Sequence, residues 1–432
     1  MGQSLPPDLL LRIIQLVSPD VQLIVRTLSK QFCALATPVA FRTLRCLNTP
    51  RSATGFLNIL DNEDLNLYVQ SVVYYDGEGA RYWYWYGNGG DMDDDDIDFE
   101  RDVENDISDA ELDGLSDAEQ DELFVTLTEA FSRLHTLPSL NAISVTFPLG
   151  KYSFKPDFTN GILVSAYEGR VASVPELRIQ LGILARLEVF ATARYFASQG
   201  RAPLRSLTIR NLNPYFTRQL SFSPFRRLFE GLTNLRLCIF TSIDAADGVR
   251  IPLLTYFCND ILPSLLRASK STLRSLTLQV DQVLGYHAGL FLGDLHYPRL
   301  QYLSLFNILF SDATGTETFI ISHARTLRSL VITDCKIDAA TKSSLSWSRV
   351  YARLGEALTE LVHMGDTASQ EYGHLDPRHG WLSAEDIPVM EQDEAALAMK
   401  GDEAALVTKE DEAALAVLLD LVARRNANTH AC

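Results

Sequence analysis

Although the chain holds six cysteines, no two of them are spaced as C-x-x-C. Cys33, Cys46, Cys238, Cys258, Cys335 and Cys432 are scattered, which suits reduced thiols and argues against a disulfide framework or a cysteine-based zinc site. Long apolar runs are missing too, and none approaches the roughly 18–20 residues of a membrane span. No G-x-x-x-x-G-K-[ST], G-x-G-x-x-G or G-x-S-x-G sequence occurs, so phosphate-cradling loops and the nucleophile elbow have no carrier here. The histidines are dispersed; His374 and His379 flank LDPR without a third ligand nearby, so no metal is expected. No residue is assigned a catalytic role, and no cofactor is expected.

Clustered basic residues are lacking as well. The net charge of −17 comes almost wholly from residues 91–122, where 17 Asp and Glu stand against Arg101 alone. The rest of the chain carries 38 acids against 37 bases. Nucleic-acid binding needs grouped Lys and Arg for phosphate contacts, so a nucleic-acid partner is not expected. With 432 residues and 47% hydrophobic content, the chain can bury the cores of two or three domains.

What is present begins at once, with MGQSLPPDLLLRIIQLVSPD. No Lys or Arg precedes Arg12, so a secretory signal is not expected here, and Pro6 occupies the position where a myristoylation motif needs Ser or Thr. Ser4 is placed to cap a helix whose first turn takes Pro6, Pro7 and Asp8. Leu10, Ile13, Ile14 and Val17 then recur at helical spacing, and Leu9, Leu11 and Leu16 widen the apolar face. A second helix is predicted from Pro19-Asp20, with Val21, Val25, Leu28 and Phe32 on one face. A third short segment runs through Leu35, Pro38 and Phe41. Some 45 residues of short helices cannot hide so much apolar surface alone, so a partner is the natural cover.

LPPDLLLRIIQLV followed by LIVRTLSKQFCALATPVAFRTL resembles an F-box of the divergent kind common in fungal proteins. Leu5-Pro6, Asp8, Leu10, Ile13 and Ile14, then Leu28-Ser29-Lys30-Gln31-Phe32, then Pro38 to Phe41 carry the likeness. Asp8 stands where Glu is commoner, and Phe32 and Phe41 where many members have Trp. The resemblance implies docking to a Skp-family adaptor of a cullin–RING ubiquitin ligase. Leu5, Pro6, Asp8, Leu10, Ile13, Ile14, Leu28 and Phe32 would form or support that surface.

Next comes a helix through Phe56, Leu57 and Leu60, then a strand alternating through Val69, Val72 and Tyr74. The five aromatics of YWYWY (82–86) suit the end of a strand or hairpin arm. Residues 87–115 have the composition of a disordered acidic insert. A calcium loop starting at Asp91 fails, because Asp96 replaces the required Gly and Asp102 the bidentate Glu. Ser108 has an acid three residues on and is a candidate phosphorylation site. Ser116 with Glu119 reads as a capping box opening a helix through Leu123, Leu127, Ala130, Phe131 and Leu134.

Beyond residue 136 one phrase recurs: LRSLTIRNL from Leu204, LTNLRLCIF from Leu232, LRSLTLQVD from Leu273, LQYLSLFNI from Leu300 and LRSLVITDC from Leu327. Weaker copies start at Leu140 and Leu358. L-x-x-L-x-L-x-x-N/C is the strand phrase of leucine-rich repeats, and steps of 27–28 residues fall in their range. Positions 1, 4 and 6 should point inward: Leu204, Leu207 and Ile209; Leu273, Leu276 and Leu278; Leu300, Leu303 and Leu305; Leu327, Leu330 and Ile332. The ninth residue, as in Cys335, should return to the core and bond the turn. The longer step from 232 to 273 should hold an elongated helix or a degenerate unit. Exposed strand residues such as Ser206, Arg236, Ser275 and Tyr302 show no theme along the sequence.

DEAAL recurs at 393–397, 402–406 and 411–415. Nine residues turn a helix half a revolution past two turns, so the copies do not share a face. The segment reads as a low-complexity helical tail of which only Leu415 to Val422 should pack.

The expected fold is α/β. A short N-terminal helical F-box-like module (1–48), a linking helix and first strand (49–86) and an acidic insert (87–115) lead to the repeats. A leucine-rich-repeat-like solenoid with a curved parallel sheet and helices on its convex side spans 116–365, and a partly helical tail 366–432. The expected function is that of the substrate receptor of an SCF-type ligase, in the cytoplasm or nucleus, with an unidentified protein substrate. The alternative is a repeat scaffold without ligase coupling.

Overall fold

Each L-x-x-L-x-L phrase forms a strand. The computed structural model describes residues 5–75, 116–147, 175–197, 203–212, 214, 220–221, 223–239, 255–284, 290–338, 346–365, 371–376, 380–383 and 394–431. The aromatic run 82–86, the acidic insert, Ser108 and Ser4 lie outside them.

Three short helices come first: α1 (Pro7–Leu16), α2 (Pro19–Val25) and α3 (Lys30–Ala40). Contrary to the sequence expectation, Leu28 and Phe32 do not continue α2, which ends at Val25. The chain breaks there because the Ser29 hydroxyl accepts a hydrogen bond from the Phe32 N–H and starts α3. Pro6 rather than Ser4 occupies the N-cap of α1.

The sheet begins earlier than the boundary at residue 48. Strand β1 (Thr43–Leu47) already pairs with β2 (Ser71–Tyr75), across α4 (Pro50–Asp61) and the single turn α5 (Glu63–Asn66). There follow α6 (Asp117–Arg133), β3 (Ala142–Thr146), α7 (Pro175–Phe196), β4 (Ser206–Leu212), α8 (Ser223–Arg227) and β5 (Asn234–Ile239). A π turn (Phe257–Ile261) leads into α9 (Leu262–Ala268), then come β6 (Ser275–Leu284), β7 (Tyr302–Phe310), α10 (Thr316–Ile321) and β8 (Ser329–Thr333). The chain ends with β9 (Lys336–Asp338), α11 (Trp347–Ala357), β10 (His363–Met364), a hairpin of β11 (Glu371–Asp376) and β12 (Gly380–Ser383), and α12 (Glu394–Ala431).

The twelve strands form one sheet. From β1 to β8 every strand pairs in parallel with its sequence neighbour, β10 pairs with β8, and only β11–β12 is antiparallel among the described pairs. The register is continuous: Leu44, Val72, Ile143, Leu207, Leu235, Leu276, Leu303, Leu330 and Met364 stand side by side and are all buried. β5 pairs directly with β6, so the long step between them contributes no strand of its own. The leading leucines at 204, 232, 273, 300 and 327, and those of the weaker copies, Leu140 and Leu358, are buried as well.

Strand and helix side chains share one continuous core. The capping box forms as expected: Ser116 accepts from the Glu119 N–H, and the Glu119 carboxylate accepts from the Ser116 backbone and hydroxyl, which holds it below the usual carboxylate range. Every apolar residue expected on that helix and in its last turn is buried. Arg186 of α7 is buried too; it donates to the Tyr74 hydroxyl (2.7 Å), which donates to Asn48 (3.1 Å).

One detail of the repeat differs from expectation. Cys335, the ninth residue of its phrase, bonds the Leu305 carbonyl through its thiol as expected (3.6 Å), but in two other phrases it is the eighth residue that bonds the neighbouring unit. Asn211 and Asn307 adopt left-handed backbone (φ 58° and 56°) and their amides donate to the carbonyls of Phe147 and Val280. The ninth residue then drops into the core, as Leu212, Ile308 and Cys335 do.

Candidate functional site

α1 to α3 carry far more apolar surface than they cover. Among residues 5–40 only Ile14, Gln22 and Ala36 are buried. Gln22 is held by a 3.0 Å hydrogen bond to the Val17 carbonyl, and Arg26 ties α2 to α3 by donating to Thr37 and lying over the Phe41 ring. Outside this small centre Leu16 is 86% exposed, Ile24 and Leu28 62%, and Ile13 50%; Leu5, Leu9, Val21 and Leu23 are exposed with them. Water-facing aliphatic side chains in such number on one module are what a protein interface leaves behind when its partner is removed.

The expected docking residues separate into two groups. Leu5, Pro6, Asp8, Ile13 and Leu28 are exposed, whereas Leu10 and Phe32 are half-buried. Ile14 is 1% exposed, so it supports the bundle from inside and offers no contact surface. Sequence reasoning missed Leu23 and Ile24, because helical periodicity identifies an apolar face but not whether the rest of the chain covers it. Behind the exposed face a groove of about 610 Å³ is lined by Leu11, Gln15, Pro38, Val39, Arg42 and Gln70. Two of its lining residues are bonded to each other, Arg42 donating to the Gln70 side chain (3.1 Å).

The outer face of the sheet is the second candidate surface. Between the buried first and fourth leucines of each phrase, two successive N–H groups bond one carbonyl of the preceding strand. Arg205 and Ser206 bond Asn141, Arg274 and Ser275 bond Thr233, and Arg328 and Ser329 bond Gln301. Of these, Arg205, Arg274 and Arg328 are exposed and Ser206, Ser275 and Ser329 half-buried, while the leucines on either side are buried. Ser206, Asn234, Ser275, Tyr302 and Ser329 form one row, and Thr208, Arg236, Thr277, Ser304 and Val331 the next.

The interior holds no reactive constellation among the described residues. No three His, Cys, Asp or Glu gather as metal ligands. Burial pushes the Cys46, Cys258 and Cys335 thiols up to about 12, leaving them protonated and inert. Among the described residues no helix is long and apolar enough to cross a membrane. The chain matches no protein-family model and no curated protein.

Proposed function

We propose that the chain is the substrate-receptor subunit of an SCF-type ubiquitin ligase. In this reading α1 to α3 are an F-box that docks a Skp-family adaptor and its cullin. The strands and helices beyond are a leucine-rich-repeat solenoid that recruits a protein substrate. The exposed aliphatic side chains of Leu9, Ile13, Leu16, Ile24 and Leu28 carry the proposal, since they lie in the segment whose residues resemble an F-box. Sequential parallel pairing, with the repeat leucines buried in register, supports the solenoid. The chain then has no bond-making step of its own. It raises the local concentration of substrate at a ligase whose chemistry belongs to partners, in the cytoplasm or nucleus.

Co-purification with the adaptor tests this. Wild type should capture it, and Pro6→Ala combined with Ile13→Asp should abolish capture without changing the melting of the sheet. A wild-type chain that fails to bind in reducing, low-salt buffer removes the ligase reading and leaves a repeat scaffold.

A further inference from the structure

The exposed strand residues acquire a theme only when read across the sheet. In each unit one residue lies between the leading apolar side chain (half-buried Phe41, or buried Leu204, Leu273 and Leu327) and the strand, and just ahead of β1, β4, β6 and β8 it is Arg42, Arg205, Arg274 and Arg328, all exposed. Arg45 and Arg236 stand on the third outward row, both held by other contacts of the chain. Over these three rows, from β1 to β8 and β10, there is no Asp or Glu. Outside residues 91–122 acids and bases are balanced at 38 and 37, so arginines without acids on these rows segregate charge. Acids return further along the chain's strands, at Asp281 in β6, Asp334 just after β8, Asp338 in β9, and Glu371 and Asp376 in β11.

The spacing narrows the partner. Strands lie about 4.8 Å apart, so Arg205, Arg274 and Arg328, on every second strand, repeat at about 10 Å. A peptide extended in the polyproline II form rises about 3.1 Å per residue and turns once in three residues, so every third side chain returns to the same face at about 9.3 Å. Ser206, Ser275 and Ser329 beside the arginines are small, and between them the same row presents Asn234 and the exposed ring of Tyr302 to a chain lying across the strands. Guanidinium groups hold carboxylates through paired N–H donors, which fixes direction as well as charge.

We infer that the outer face of this sheet binds an extended acidic peptide segment of a protein partner, crossing the strands with Asp or Glu at every third residue over Arg205, Arg274 and Arg328. The inference rests on the receptor reading for what the segment is bound for, and on the sheet alone for the binding. Exposed ion pairs are individually weak and screened by salt, so several must act together.

Fluorescence anisotropy with the full chain tests it. The probe is a labelled peptide of about 10 residues with Asp at every third position, and its control carries Asn instead. Wild type should bind the Asp peptide, lose it as salt rises, and ignore the control. Combined Arg205→Ala, Arg274→Ala and Arg328→Ala should weaken binding by about tenfold or more at unchanged melting temperature. If the alanine variant folds poorly, the three-lysine variant, which keeps charge but loses the paired donors, should bind more weakly than wild type. Absence of wild-type binding, equal binding of the control, unchanged affinity in a folded variant, or stronger competition by a single-stranded oligonucleotide of equal charge would overturn the inference. Adaptor capture depends on α1 to α3 and is measured on the same variants, so failure there is told apart from failure here.

Discussion

The Asp411 carboxylate accepts a 2.6 Å hydrogen bond from the backbone N–H of Ser348, in the first turn of α11. At the other end of that helix Arg425 donates to the carbonyls of Leu358 and Gly355 (2.7 and 3.1 Å). Two residues of α12 therefore satisfy both ends of α11, a negative group at its positive end and a positive group at its negative end. Leu418 and Val422 are buried between these bonds, within and at the end of the stretch expected to pack.

Asp411→Ala and Arg425→Ala should each destabilise the chain by about 1–2 kcal/mol. Urea denaturation followed by tryptophan fluorescence reads this directly, because Trp347 opens α11. Equal midpoints for wild type and both variants would mean that α12 contributes nothing to α11.

His323 gives a pH dependence. It is buried, its Nδ1 faces the Phe319 carbonyl (2.7 Å), and its Nε2 accepts from the Tyr297 backbone N–H (2.9 Å). Burial, with His296 stacked on the ring, brings its pKa down to about 4 against an ordinary 6.5. A proton on Nε2 would oppose the Tyr297 N–H. The neutral form is thus favoured in the folded chain, and the unfolded chain binds more protons between pH 6.5 and 4. This stability is present in full above pH 6.5 and is lost as pH falls through that window, by about 3 kcal/mol over its whole width. Urea midpoints from pH 7 to 4.5 should fall more steeply for wild type than for His323→Gln.

Asn211 offers a test of the repeat turn. Its left-handed backbone and its buried amide bond to Phe147 both favour asparagine. Asn211→Leu should cost about 2–3 kcal/mol, from backbone strain and an orphaned carbonyl, whereas Asn211→Gly should cost less. If glycine costs more than leucine, strain is not the reason for asparagine at this position.

Ile13 and Ile14 are adjacent yet should behave oppositely. Ile13→Ala should leave melting nearly unchanged and weaken adaptor capture. Ile14→Ala should lower stability by about 2–4 kcal/mol through a cavity in the helical bundle. Matching effects at the two positions in both assays would contradict the burial difference.

The repeat leucines were legible in the sequence because each phrase carries its own inward pattern, and the Ser116–Glu119 box because both partners lie within one turn. The arginine row was not legible. Its members are separated by whole units, and only the pairing register brings them to one edge. Asp411 escaped for the same reason: it looks like one more DEAAL residue until Ser348, 63 positions away, supplies the N–H. The break at Ser29 was missed because apolar spacing continued unbroken through a serine whose capping role is local.

Because each strand from β1 to β8 is bonded to the units just before and after it in the chain, the sheet tolerates great differences in what lies between. β2 ends at Tyr75 and β3 starts at Ala142, yet they pair as regularly as β7 and β8. The molecule can therefore be edited by whole units or by splicing: a foreign domain with closely spaced ends, placed between β2 and β3, would leave the register on either side intact.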